Sequence, residues 1–243
     1  MSQRTANSII QVGALSAGYG NSHILFEVDF EAKEKEITMV IGPNGCGKST
    51  LIKSIFGLST IYSGQIKFHE KNISGLVPHQ VAREKIAYMP QVNNVFANLT
   101  IRENLIMAGY TVDPKAVSER MPGIMEAFPV LKRYENTKAN TLSGGERQML
   151  GMGMALIRKP TVMLFDEPTA GLAPKLAHEV LDKIKQMRDD FGISIILVEQ
   201  NFKRALKFGD WVYLLASGKN VFSGTPEELL AHPELGKLYL GIN

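Results

Sequence analysis

The spacing of apolar residues divides the chain into three stretches. In the first, they come in short runs of strand length, over residues 9–15, 26–30, 37–41, 65–68 and 86–89. One helical period interrupts these runs, from Lys48 to Phe56, and Gly57 ends it. From about Val92 to Arg158 the period is helical, and Pro160 closes that stretch. Beyond it, Val162-Met163-Leu164-Phe165 is an apolar strand-length run ending on two acids. After Pro174, Leu176, Val180, Leu181, Ile184 and Met187 share one helical face, with Lys, Asp and Arg opposite. Gly192 ends that helix, and residues 193–198 form a second buried-type strand. Thr225-Pro226-Glu227-Glu228 opens a terminal helix with a capping Thr, Pro in the first turn and acids at the positive helix end. Strands and helices alternating on both sides of a helical block predict an α/β fold with a helical insertion.

Composition narrows the class of protein. The 243 residues carry 27 Lys+Arg against 24 Asp+Glu, a net charge of +3, too weak to argue for nucleic acid as a partner. With 44% hydrophobic and 21% charged residues, the chain reads as soluble and well able to bury a core. Its longest apolar runs, such as Ile195-Ile196-Leu197-Val198, fall far short of the roughly 20 residues that span a bilayer. The start shows no secretory pattern. The single cysteine, Cys46, excludes an internal disulfide and a Cys-rich zinc site. The expected location is therefore cytoplasmic, with any membrane contact made through partners.

Three motifs carry chemistry. Gly42-Pro43-Asn44-Gly45-Cys46-Gly47-Lys48-Ser49 fits G-x-x-x-x-G-K-[ST] between a strand-like run and a helix that continues through Thr50. Its backbone N–H groups and the helix start suit phosphate. Lys48 would reach the β- and γ-phosphates, and Ser49 would offer a hydroxyl to Mg2+. Asp166 and Glu167 close the apolar run that begins at Val162, the place where a parallel strand presents carboxylates to a ligand crevice. Asp166 suits a Mg2+ site from behind its direct ligands or through water, and Glu167 suits a general base for an attacking water. The third motif, Leu142-Ser143-Gly144-Gly145-Glu146, precedes a helical stretch, with Ser143 as its cap. Alone, this last turn reads equally well as a flexible helix cap.

Together the three motifs resemble the ATP-binding subunits of ABC transporters, whose signature sequence is LSGG[EQ], and the resemblance covers nearly the whole chain. It implies a P-loop NTPase fold of one domain. Residues 1–91 and 159–225 would form a RecA-like core sheet with an antiparallel β subdomain. Residues 92–158 would form a helical subdomain, and 226–243 a short helical tail. By the same resemblance Tyr19 stacks on adenine, and Gln91 in Tyr88-Met89-Pro90-Gln91 senses Mg2+ and the attacking water. Ser143, Gly144, Gly145 and Glu146 would act on the ATP held by a second subunit. Leu197-Val198-Glu199-Gln200-Asn201, Gly171-Leu172-Ala173-Pro174 and Tyr239-Leu240-Gly241 are most similar to the smaller ATPase subunit of branched-chain amino acid importers.

That likeness implies an ATPase that powers uptake of branched-chain amino acids or a related small polar solute, with ATP and Mg2+ as cofactors. The implied partners are a second ATPase subunit, two transmembrane permease subunits and, indirectly, a solute-binding protein outside the membrane. An importer of urea or short amides, or a soluble ABC ATPase of DNA repair or translation, is the alternative. A sensor that binds nucleotide without hydrolysing it is weakened by the presence of Lys48, Asp166, Glu167 and Gln91. Gln200 stands where most relatives carry a switch histidine, and Ala173 where most carry an aspartate. Gln200 can still donate to a γ-phosphate oxygen but cannot titrate. Met154, where arginine is common, reads as a packing change. Six of the eleven methionines, 107, 121, 125, 149, 152 and 154, lie in the helical stretch, as core or as a docking surface. Cys46, near a helix start, is expected to have a lowered thiol pKa and to be shielded by nucleotide, unless it only fills a small-residue position.

Overall fold

A computed structural model describes residues 7–92, 94–201 and 205–232. The chain opens with a long hairpin, β1 (Ser8–Tyr19) and β2 (Ser22–Lys33), then β3 (Ile37–Ile41) and α1 (Lys48–Ile55). Next come β4 (Thr60–Phe68), β5 (Lys71–Asn72), α2 (Pro78–Arg83) and β6 (Ile86–Met89). Helices α3 (Ile101–Ala108), α4 (Pro114–Ala127), α5 (Pro129–Arg133) and α6 (Gly144–Leu156) follow. The chain then returns to β7 (Val162–Asp166), α7 (Pro174–Phe191) and β8 (Ser194–Val198). It continues with β9 (Trp211–Ala216), β10 (Lys219–Gly224) and α8 (Pro226–Leu230).

The strands make two sheets. One is antiparallel, in the order β2-β1-β4-β5. The other runs β10-β9-β3-β8-β7-β6, parallel throughout except for the β9–β10 hairpin. Buried on both faces, its central strands are apolar at nearly every position, as parallel sheets require. The pleat sends alternate residues into two cores. Ile37, Met39 and Ile41, with Met163, Phe165, Ile195 and Leu197, join the core shared with the helical block. Val40, Val162, Leu164, Ile196 and Val198 join α1 and the antiparallel sheet.

Helices α3 to α6 leave the parallel sheet after β6 and return to it at β7. Met121, Met125 and Met152 are buried there, Met149 and Met154 pack partly buried against the same core, and Met107 is exposed. The core reading therefore holds for most of these methionines, and Met154 is a packing residue. On α7 the buried face is Ala177, Val180, Leu181, Ile184 and Met187, with Leu176 half-buried at its edge. Gly192 stops the helix in the left-handed region. Thr225 caps α8 by accepting the Glu228 N–H. The sequence Tyr239-Leu240-Gly241 and the rest of the expected tail beyond His232 lie outside the described residues.

Candidate active site

Strand β3 ends at Ile41 in the middle of the parallel sheet, and the chain turns at once into the loop 42–47 before α1. Gly42 has φ +145°, and a Cβ there would sit 2.1 Å from the Leu215 carbonyl oxygen, so only glycine fits where the loop leaves the sheet. Gly47, also at positive φ, stands as the N-cap of α1. Lys48 is buried and its Nζ donates to the carbonyls of Gly42 (3.0 Å) and Pro43 (2.9 Å), so the ammonium lies inside the curl of the loop.

Pairing of β7 with β6 and β8 brings the acids to the same edge. Ser49 on α1 donates to Asp166 Oδ1 at 2.6 Å, and the Tyr88 hydroxyl donates to Asp166 Oδ2 at 3.1 Å. Burial and the adjoining carboxylate push the Tyr88 phenol far above its usual value, so it stays a donor at any working pH. Ser49 and Asp166 present hard oxygen ligands side by side, the donor set that suits Mg2+. Glu167, one residue on, has φ +48°, and its N–H donates to the Val198 carbonyl at 3.0 Å. A non-glycine residue held there is strained by about 1 kcal/mol or more, a cost that clusters at functional sites. Its carboxylate accepts a 3.2 Å bond from Gln91 Nε2 on the loop after β6. Thus Lys48, Ser49, Asp166, Glu167 and Gln91, chosen from sequence, meet at one sheet edge. Gln200 is exposed just past β8, and Tyr19 is exposed at the end of β1.

The 143–146 turn caps α6. The Glu146 N–H donates to Ser143 Oγ, and the Ser143 N–H donates to Glu146 Oε2 at 2.8 Å. Its packing partners are Leu172 and Leu176, beyond Glu167 in sequence: a Cβ on Gly144 would lie 2.8 Å from Leu172 Cδ2.

One expectation is overturned. Cys46 is buried, and desolvation raises its thiol pKa, outweighing the Lys48 charge that would lower it. The thiol is buried near Gly42. Cys46 is a small packing residue, and its backbone carbonyl accepts the Gly218 N–H.

Three residues of the site region escape a motif search. Tyr88 is the second anchor of Asp166, legible only once β6 is placed beside β7. Fully buried Asn104 ties down the segment between the Gln91 loop and α3, donating to the carbonyls of Phe96, Leu99 and Thr100 and accepting the Phe96 N–H. Glu199, buried between strand and turn, accepts the Thr169 N–H just past Glu167.

A curled glycine loop with an enclosed lysine, a serine–aspartate pair and a strand-end glutamate braced by a glutamine define a phosphate-loop nucleotide hydrolase. The ABC transporter family pattern matches residues 25–170. The chain is 53% identical over 228 residues to the probable branched-chain amino acid transport ATP-binding protein LivF of Archaeoglobus fulgidus, covering 94% of this chain and 97% of that one. It is 40% identical to the high-affinity branched-chain amino acid transport ATP-binding protein BraG of Pseudomonas aeruginosa, covering 93% and 97%. Among solved structures, the ADP conformation of an ATP-binding cassette of an ABC transporter superposes with a TM-score of 0.87 at 26% identity, over 98% of this chain and all of that one. The chain belongs to the ABC transporter ATP-binding family and is an ATPase subunit.

Proposed function

We propose that this chain binds and hydrolyses ATP to power an importer of branched-chain amino acids or a related small polar solute. The observation that carries the reading is the Glu167 carboxylate, fixed at the sheet edge by Gln91 and one residue from the Ser49–Asp166 pair. In this proposal the loop N–H groups and Lys48 hold the β- and γ-phosphates, and Tyr19 stacks on adenine. Ser49 and Gln91, with Asp166 through water, would hold Mg2+, which would neutralise phosphate charge. Glu167 takes a proton from water as the water oxygen bonds to the γ-phosphorus and the bond to the β-phosphate oxygen breaks, leaving ADP and phosphate. Gln200 donates to a γ-phosphate oxygen.

Each chain has one phosphate loop and one Ser143-type turn, and the turn packs against its own Leu172 and Leu176. A second ATPase subunit would bring its turn to this chain's loop, and ATP would close the pair by engaging both faces. Residues 92–158 would act as a helical subdomain that passes closure to two permease subunits. Exposed Val92, Phe96, Met107 and Tyr110, on the Gln91 loop and around α3, support a contact of that kind. No helix among the described residues is long and apolar enough to cross a membrane, which fits a subunit seated on the cytoplasmic face.

The test is reconstitution with the neighbouring permease and ATPase gene products and their solute-binding protein in vesicles. Leucine, isoleucine or valine should stimulate ATP hydrolysis several-fold. Stimulation by urea or short amides alone would move the substrate class, and hydrolysis indifferent to every permease would remove the transport role.

A further inference from the structure

We propose that Glu199 is a positioning residue for hydrolysis, whose side chain ties the end of β8, next to Gln200, to the turn that holds Glu167. The inference rests on the hydrolytic role proposed for Glu167. Strands β7 and β8 pair through Asp166 and Val198, and the Glu167 N–H still finds the Val198 carbonyl. One residue further, the Glu199 N–H donates to the Val40 carbonyl of β3, as the alternation of the parallel β3–β8 ladder requires. The turn after Glu167 carries a buried N–H, that of Thr169, which needs an acceptor. Glu199 supplies one from its side chain: Oε1 accepts the buried Thr169 N–H at 3.1 Å. The Thr169 hydroxyl and the Gln200 backbone N–H lie close enough to this carboxyl to favour its charged form.

Glu199 is 2% exposed and Thr169 6%, so no water replaces these bonds cheaply. The turn is itself closed, with the Ala170 N–H on the Glu167 carbonyl and the Leu172 N–H on the Thr169 carbonyl. Holding Thr169 therefore holds Glu167 from behind, while Gln91 holds it from in front. Leu172, at the far end of the turn, touches Gly144 of the signature turn. A single buried carboxyl thus links the Gln200 position, the Glu167 backbone and the segment beside the signature turn. This arrangement predicts an effect on turnover rather than on nucleotide affinity, because Glu199 does not reach the phosphate loop.

The experiment compares ATP hydrolysis by the full chain and by its Glu199→Ala and Glu199→Gln variants, with Glu167→Gln alongside. Glu199→Ala should lower kcat about tenfold or more while KM for ATP stays within about twofold. Glu199→Gln, which keeps an acceptor oxygen for Thr169, should recover kcat to within about threefold of the parent. The proposal is overturned if Glu199→Ala keeps at least half the parent kcat, if kcat and ATP affinity collapse together, or if Glu199→Gln is no better than Glu199→Ala. Undiminished turnover in Glu167→Gln would remove the role of Glu167 and this inference with it. An inactive Glu167→Gln beside any of the three Glu199 failures removes this inference alone.

Discussion

Replacing Glu199 with glutamine also makes a prediction about stability. Burial raises the Glu199 carboxyl from its ordinary value of 4.5 to about 7, with the nearby Glu167 charge acting in the same direction and the bonds from Thr169 opposing it. A raised acid pKa means the folded state holds a proton that the unfolded chain has already lost between these values. Stability then falls as pH rises from about 4.5 to 7 and stays at its lower level above. Roughly 2.5 pK units at about 1.4 kcal/mol each give at most about 3–4 kcal/mol. Glutamine is neutral at every pH and keeps an oxygen for the Thr169 N–H. The stability of Glu199→Gln relative to the parent should therefore grow with pH, from near zero at pH 4 to as much as about 3 kcal/mol at pH 8. Taking the difference cancels the other carboxylates. Urea denaturation at several pH values, followed by the fluorescence of the sole tryptophan, Trp211, measures it. A difference that is flat with pH, or that favours the parent as pH rises, refutes the reasoning.

Other perturbations have separate readouts. Glu167→Gln should cut turnover by at least about a hundredfold while ATP binding, read with a fluorescent nucleotide, stays within about threefold; steady hydrolysis would sink the general-base role. Cys46 should react with maleimide far more slowly than a free thiol at pH 8, because it is buried and its pKa is raised; rapid labelling of the folded chain would contradict that placement. Gly42→Ala should lose nucleotide binding, since its Cβ meets the Leu215 carbonyl at 2.1 Å, and normal ATP affinity would show that the loop has another path. Asn104→Ala leaves several buried partners unpaired and should cost about 2–4 kcal/mol, read as a lowered Tm.

What was legible in the sequence follows from what each feature depends on. The phosphate loop and the acid pair were legible because their chemistry is local: glycine at the loop exit, lysine and serine at a helix start, carboxylates at a strand end. Strands β3, β6, β7 and β8 were legible because strands buried on both faces read as unbroken apolar runs. The first hairpin extends well past residues 9–15 and 26–30 because its solvent-facing positions, such as Ser22 and His23, dilute the pattern, and bulges interrupt its register. The pattern reading leaves Trp211–Ala216 and Lys219–Gly224 unplaced, although the first is as apolar as β3. Neither lies beside a motif; β9 is placed by pairing with β3, and β10 takes the sheet edge by pairing with β9. The Cys46 expectation fails because proximity to a helix start carries no information about depth. The α1 terminus does bring positive charge, yet the thiol turns into the core, where desolvation outweighs it.

Glu167 and Glu199 together place a stability cost next to the proposed chemistry. One is held at φ +48°, and the other is a carboxyl with a raised pKa sealed behind the turn. Neither arrangement helps the fold: a glycine would relax the first and a neutral side chain the second. Both belong to the short segment between β7 and α7, whose hydrogen bonds reach β8 and whose Leu172 reaches α6 at Gly144. Strain at the centre of this segment is kept in place by contacts on both sides, so easing it on one side shifts the other. A substitution that stabilises the chain here should therefore lower turnover, whereas one on the exposed face of α7 should not. Pairing Glu199→Gln with an exposed α7 change such as Lys185→Glu, measured for both Tm and kcat, separates the two cases: at position 199 a gain in Tm should accompany a kcat loss no larger than about threefold, and at position 185 kcat should not fall.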